Sequence, residues 1–161
     1  MAGGRTDATL KSSNRRERGQ SMVEFALLLP IFLVVIFIIV DFGVGISRWV
    51  ILTNSTREGA RLGAVGASTA EIQVKVATTS NSLLDEADVN VYYLDKDDNG
   101  DPGDRGDSVV VESDYEYGLI TPLKAFLGLA WDSINFYSCT DMRLELPVSG
   151  ASNPDAELGC E

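Results

Sequence analysis

The sequence contains no histidine and little positive charge. It has 13 lysine and arginine residues against 24 aspartate and glutamate residues, a formal net charge of −11. The absence of histidine removes the side chain that most often transfers protons near neutral pH and most often binds metals. An acidic balance argues against a nucleic-acid partner, because phosphate binding requires a basic surface. We therefore expect neither histidine-dependent catalysis nor nucleic-acid binding.

The chain is also too short for a large enzyme. Its 161 residues suffice for one domain with a core of modest size. The remaining catalytic candidates are carboxylates, and no local pair of them suggests glycoside hydrolysis. The composition therefore favours a non-enzymatic protein.

One long apolar run stands out from this polar background. It extends from Phe25 to Val40, broken only by Pro30, and resumes as far as Ile46. These residues form about 33 Å of helix, enough to cross the hydrocarbon core of a membrane. A chain of this size could hardly cover such a helix on every side in a soluble core. A secretory signal peptide has a shorter apolar part and a nearby small-residue cleavage site. The run therefore predicts a transmembrane helix.

The charge distribution predicts how this helix is oriented. The first 19 residues carry five basic and two acidic side chains, a net charge of +3, which leaves −14 on the rest of the chain. Positive flanks stay on the cytoplasmic side of a membrane. We expect a cytoplasmic N-terminus and an extracytoplasmic acidic part.

The junction between the basic leader and the apolar run carries the most specific signal. Gly19 precedes Gln20, and Glu24 lies in the first turns of the helix. A carboxylate is costly there unless it meets a partner. If the chain is cut after Gly19, the new amino group of Gln20 lies about one helical turn from Glu24 and supplies a compensating charge.

This junction resembles the class III leader junction of type IV pilins and pseudopilins, which a prepilin peptidase cuts after the glycine. The wider sequence resembles the TadE-like family of minor pilins or pseudopilins from tight-adherence (Flp) pilus systems, most specifically between Gly19 and Arg61 and more weakly to about Gly128. The stretches that carry the resemblance are Val23–Pro30, Asp41–Gly43, Arg57–Arg61, Gly106–Val111, Tyr117 and Thr121–Leu123.

The resemblance implies a structural subunit of the bacterial cytoplasmic membrane, or of an extracellular pilus, which begins at Gln20 after processing. The implied partners are other pilins or pseudopilins, a pilus assembly platform and the prepilin peptidase. The apolar helix would first anchor the subunit and then form the packed stem of an assembly. The residues expected to govern assembly and helix register are Glu24, Pro30, Asp41, Arg57, Glu58 and Arg61.

Three of these expectations have a physical basis. Pro30 removes a backbone hydrogen bond, so the helix can bend there. Asp41 lies about 25 Å along the helix from Glu24, so the two acids should flank the apolar band at opposite faces. Arg57 and Arg61 line one side of the helix and either bind a neighbour's acid or form a solvated face.

The residue pattern predicts an α+β fold in four segments. Residues 1–19 are the leader, 20–66 the transmembrane and extended helix, 67–148 an extracytoplasmic domain and 149–161 a polar tail. The first helix should run from about Ser21 to Val65. A capping box, Ser68 to Glu71, starts a second helix. Its apolar face is predicted to comprise Ile72, Val76, Leu83 and Ala87.

From residue 88 onward the pattern becomes that of strands. Residues 89–94, 108–115 and 135–146 have β-type composition between turn residues. We expect a small antiparallel sheet covered by the second helix. The apolar stretch 123–131 is either a short core helix or an exposed contact patch for a partner.

An acidic loop between the first two strands matches the start of a calcium-binding loop. The expected ligands are Asp95, Asp97, Asn99 and Asp101, since calcium prefers six to eight oxygens around a tight turn. The twelfth position is Gly106 rather than glutamate, so Asp104 or Asp107 would have to substitute. The alternative is a hairpin loop rich in turn residues. No cofactor other than calcium is expected.

The two cysteines, Cys139 and Cys160, both fall in the part predicted to lie outside the cytoplasm, where disulfides form. We expect them to pair and to tie the C-terminal tail to the last strand. A second functional hypothesis follows from the acidic loop: a permanently anchored, calcium-dependent binding or adhesion module whose helix is only a tether.

Overall fold

The computed structural model describes residues 13–128, 133–151 and 160 of the chain. Most of the predicted leader, the end of the apolar stretch at 129–131 and most of the C-terminal tail lie outside these residues. The described residues form an α+β fold, as predicted.

A single helix, α1, extends from Ser13 to Ala64. Its 52 residues correspond to about 78 Å. It ends within one residue of the predicted C-terminus and begins earlier than predicted, inside the basic leader. Pro30 lies within it, and because proline has no amide hydrogen, one backbone hydrogen bond is missing there.

The two halves of α1 have different surroundings. From Gly19 to Val40 every side chain is exposed or half-buried, and Asp41 is the first buried one. Beyond Asp41, buried positions recur along one face and include Leu52 and Ala60. The N-terminal half of α1 therefore extends away from a folded head, and the C-terminal half forms part of that head.

The head contains a three-stranded antiparallel sheet in the order β1-β2-β3. The strands are β1 Val89–Leu94, β2 Ser108–Gly118 and β3 Ser133–Arg143. The predicted strands are confirmed, with β2 three residues longer than expected and β3 shifted towards the N-terminus. Val109, Val111 and Tyr117 of β2 are buried on the face that meets the helices, and Val110 is buried on the other face with Tyr92 and Leu94.

The second helix, α2, is shorter than predicted. It covers Thr69–Thr79 and starts with the predicted capping box between Ser68 and Glu71. Ile72 and Val76 are buried as expected, but Leu83 and Ala87 lie beyond the helix, so that part of the prediction is wrong. Asn81 and Ser82 adopt positive φ angles of 57° and 63°, which a helix cannot contain.

Both helices cover the sheet, whereas the sequence predicted this role for α2. Helix α1 packs on β2 and β3, and α2 packs on β1 and α1. The principal core residues come from α1, α2, β1, β2 and the segment after β3: Leu52, Ala60, Ile72, Val76, Val89, Tyr93, Val109, Val111 and Leu144. Each helix alone would leave part of the inner sheet face uncovered.

Two glycines allow this close packing. A Cβ atom on Gly59 would lie 2.3 Å from Cγ2 of Val76, and one on Gly63 would lie 2.9 Å from Cδ1 of Ile72. Such distances are far below van der Waals contact, so α2 approaches α1 directly over its backbone. The spacing of four residues places both glycines on one face of α1.

Two further connections join distant parts of the head. The hydroxyl of Thr56 on α1 lies 2.8 Å from that of Ser138 on β3. Cys139 forms a disulfide with Cys160, with Cα atoms 5.5 Å apart, which is the predicted pairing.

A third helix, α3, covers Leu123–Leu127. Its first residue is buried, and Lys124 and Ala125 are exposed.

The glycine packing predicts a large difference between two glycine substitutions on the same helix. Gly59→Ala should destabilise the head by about 1–3 kcal/mol, because the added methyl group overpacks the contact with Val76. Gly43→Ala is the matched control, since a Cβ there meets nothing within 4 Å. The measurement is the urea midpoint of the full chain in detergent, followed by near-ultraviolet circular dichroism. Equal midpoints for the two variants would show that the close contact is wrong.

Candidate functional site

Asp41 joins the apolar helix to the head. It is 4% exposed, and its Oδ1 accepts hydrogen bonds from the backbone N–H groups of Ile120 at 3.0 Å and Thr121 at 3.2 Å. The Thr121 hydroxyl donates a hydrogen bond to Oδ2. These donors belong to the loop that follows β2, so one carboxylate fixes the base of the sheet to α1. We call Asp41, Ile120 and Thr121 the Asp41 junction.

An aromatic pair packs beside the junction. The Tyr117 hydroxyl lies 3.4 Å from both the carbonyl oxygen and Oδ1 of Asp41. Burial, and then the negative charge of Asp41, raises the pKa of Tyr117, which keeps the hydroxyl protonated as a donor. The Tyr117 ring stacks on Phe136 with centroids 6.0 Å apart. Gly45 of α1 lies beside this pair: a Cβ there would be in ordinary contact with the Phe136 ring, at 3.5 Å.

The sequence predicted the position of Asp41 at the end of the apolar band but not its partners. Tyr117 and Thr121 entered the prediction only through the family resemblance, and no local pattern indicates that they contact Asp41. The available signal was Asp41 itself, because a carboxylate beside sixteen consecutive apolar or proline residues needs hydrogen-bond donors.

The predicted processing residues, and Glu24 and Pro30 among the predicted register residues, lie on the exposed half of α1. Gly19, Gln20 and Glu24 are exposed, and the Gln20 side-chain amide donates to Glu24 at 3.2 Å. Within the described residues, α1 is the helix long and apolar enough to span a membrane, with a mean hydropathy of 3.1 over its most apolar window. None of that window is buried, which is contrary to a core helix of a soluble protein.

The charged residues near the C-terminal end of α1 divide into two groups. Glu58 forms an ion pair with Lys75 of α2 at 3.4 Å. Arg57 and Arg61 are exposed, and neither pairs with an acid among the residues the structure describes. The structure therefore leaves both arginines accessible to a neighbouring molecule or to solvent.

The acidic loop brings together a set of carboxylates that overlaps the predicted one. Ligand atoms of Asp95, Asp97 and Asp107 lie within 4.8 Å of one another. Asp107, anticipated as a substitute for the glutamate missing at the twelfth position, belongs to this cluster, and Asp101 does not. Asn99 accepts a hydrogen bond from the Asp101 N–H at 2.7 Å.

The loop is also held by its own backbone donors. Buried Asp107 accepts from the N–H groups of Lys96 at 2.9 Å, Gly103 at 2.9 Å and Asp104 at 3.2 Å. The Gly100 N–H lowers the pKa of Asp95. Desolvation, followed by the like charges of Asp104 and Asp107, raises the pKa of Asp97. Asp107 therefore holds the loop together by accepting from three backbone donors. Asp97 is the carboxylate whose ionised form is disfavoured by desolvation and by the neighbouring negative charges.

An exposed apolar helix, long and apolar enough to cross a membrane once, leads into a small α+β head, and this arrangement suggests a single-pass membrane protein. Residues 19–61 match the family model of TadE-like protein, which confirms the predicted resemblance over the segment from Gly19 to Arg61. The family is a structural one associated with tight-adherence pili and suggests a pilus-associated, pilin-like role. No curated protein and no solved structure matches the chain.

The loop geometry predicts opposite effects for two neighbouring substitutions. Asp107→Asn should destabilise the head by about 1–3 kcal/mol, because an amide cannot accept from all three backbone donors. Asp97→Asn is the matched control. Its raised folded-state pKa means that the ionised carboxylate opposes folding above its ordinary pKa, so neutralisation should leave stability unchanged or higher at neutral pH.

The measurement is the urea midpoint of the full chain in detergent with a chelator present. A loss of stability in Asp97→Asn equal to that in Asp107→Asn would contradict the assigned roles.

Proposed function

We propose that the protein is a TadE-like minor pilin or pseudopilin of a tight-adherence or related type IV pilus or secretion apparatus. A prepilin peptidase cuts it after Gly19, and it assembles through its N-terminal helix. The observation that carries this proposal is the family match over residues 19–61, which starts at the proposed cleavage glycine.

The exposed half of α1 supports the assembly role. Between Glu24 and Asp41 all side chains are apolar, and none of them is buried by the head. Such a surface requires either lipid or other apolar helices around it. A subunit that leaves the membrane for a filament exchanges the first environment for the second without refolding its head.

Glu24 sets the axial position of each helix relative to its neighbours when the subunit moves from the membrane into a filament. In the uncut chain its partner is the neutral Gln20 side chain at 3.2 Å. Cleavage after Gly19 places a positively charged amino group on Gln20, and an ammonium–carboxylate hydrogen bond is about twice as strong as a neutral one. The amino group of one subunit and Glu24 of the same subunit or a neighbour then fix the axial position of adjacent helices.

The head presents its own contacts to neighbours. After cleavage the chain carries a net charge of −14, and the exposed Arg57 and Arg61 stand out as cations on this acidic protein. They pair with acidic side chains of adjacent pilins in the proposed assembly. The partners are thus other pilins or pseudopilins and the assembly platform in the bacterial cytoplasmic membrane, with the N-terminus cytoplasmic before cleavage.

A second candidate function is a permanently anchored, calcium-dependent binding or adhesion module. The convergence of Asp95, Asp97 and Asp107 within 4.8 Å favours it, with Asn99 and Asp101 as additional oxygen donors. This function requires an uncut leader and a rise in the urea midpoint on adding calcium that is absent from the Asp97→Asn variant.

Mass analysis of the membrane-extracted protein tests the proposed processing. The chain is expressed with an active prepilin peptidase, and we expect loss of residues 1–19 and a new N-terminus at Gln20. An inactive peptidase is the first control. Gly19→Leu is the second and should leave the leader intact because the bulky residue occupies the cleavage position.

An intact leader in the presence of active peptidase would contradict the proposed processing and favour the anchored module. Cleavage at another residue would contradict the assignment of Gly19 and remove the role given to the Gln20 amino group.

A further inference from the structure

The base of the head forms an apolar groove against α1. It has a volume of about 450 Å³. Most of its lining is aliphatic or aromatic and comes from both α1 and the head: Ile38, Phe42, Ile46, Leu119, Leu123 and Ile134. Phe42 is 69% exposed, and Ile120, beside the groove in the Asp41 junction, is 63% exposed. The head thus carries apolar surface where it meets the membrane-spanning helix.

The Asp41 junction fixes the depth of this surface. Asp41 is about 25 Å along the helix from Glu24, which is less than the roughly 30 Å of a hydrocarbon core. With Glu24 near the cytoplasmic interface, Asp41 lies at the opposite edge of the hydrocarbon. Ile120 and Thr121 are hydrogen-bonded to Asp41, so they lie at the same depth.

The groove extends further into the bilayer than the junction. Ile38 lies three residues before Asp41, about 4.5 Å closer to the membrane centre, and it lines the same groove as Leu119. At the other end of the groove is Trp49, which is 48% exposed. Tryptophan is enriched at membrane–water interfaces, so the groove runs from the interface towards the acyl chains.

The donor groups of the Asp41 junction have partners within the protein. The amides of Ile120 and Thr121 and the Thr121 hydroxyl all donate to Asp41. Backbone donors and carboxylates that lack partners are costly in hydrocarbon. The junction therefore permits the loop after β2 to enter the bilayer surface.

We propose that the groove binds acyl chains of lipids in the leaflet on the head's side, so that the base of the head is immersed in the bilayer surface. The proposal rests on the proposed membrane insertion of α1. The groove is continuous with the apolar, exposed face of α1 at Ile38 and Phe42, and this continuity favours lipid over a second copy of the chain.

Nitroxide labels on single introduced cysteines test the proposal. The full chain, with its native disulfide, is reconstituted in vesicles of phosphatidylethanolamine and phosphatidylglycerol. Ile120→Cys reports on the base of the head, Ile31→Cys on the apolar band and Val74→Cys on α2, an exposed position outside the groove. Collision with oxygen, which concentrates in lipid, is compared with collision with a water-soluble nickel chelate.

We expect the labels at 31 and 120 to favour oxygen over nickel severalfold and the label at 74 to favour nickel. A label at 120 that behaves like that at 74, with 31 in lipid, would overturn this inference alone. Labels at 31 and 120 that both favour nickel would overturn membrane insertion as well. Shielding of 120 from both reagents, with spin–spin broadening removed by unlabelled protein, would assign the groove to a second copy.

A second measurement avoids altering the base of the head. In the Trp131→Phe chain, Trp49 is the remaining tryptophan. Lipids brominated near the headgroup end of the acyl chain should quench its fluorescence severalfold more than lipids brominated near the methyl end. Absence of quenching by either lipid would place the groove in water.

Discussion

The rest of the structure depends on the hydrogen bonds that Asp41 accepts from the head. A carboxylate at the end of an apolar helix is costly alone, and so are the amides of a loop held against that helix. Each group satisfies the other: Asp41 accepts from the Ile120 and Thr121 amides and the Thr121 hydroxyl. These hydrogen bonds set the position of the sheet along α1, at the end of the exposed apolar band.

The other contacts extend this attachment into a rigid unit. Gly59 and Gly63 allow Ile72 and Val76 of α2 to pack directly over the α1 backbone, and Thr56 connects α1 to β3 through Ser138. The same helix that carries the exposed apolar band therefore also forms part of the head's core. In the proposed assembly, an axial displacement of the stem moves the whole head, which suits a subunit that is extracted from a membrane.

Much of this architecture was predictable because its signals are local. The apolar run, the capping box at Ser68 and the alternation in Val89–Leu94 each depend on neighbouring residues. The errors have local causes as well. Helix α2 ends at Thr79 because Asn81 and Ser82 adopt left-handed conformations. Asparagine and serine can adopt such conformations, but their presence in the sequence does not predict them. The Asp41 junction joins positions about 80 apart in the sequence, as Thr121 shows, and no local pattern encodes such a contact.

The most direct test of this account is amide hydrogen exchange at Ile120 and Thr121 in the bilayer-reconstituted chain, compared with Asp41→Ala and Asp41→Asn. Loss of a buried acceptor costs about 1–3 kcal/mol, so Asp41→Ala should accelerate exchange of both amides by about tenfold or more. Asp41→Asn, which keeps one acceptor oxygen, should retain most of the protection. Exchange that is already fast in the unmodified chain, or unchanged in Asp41→Ala, would contradict the central role of Asp41.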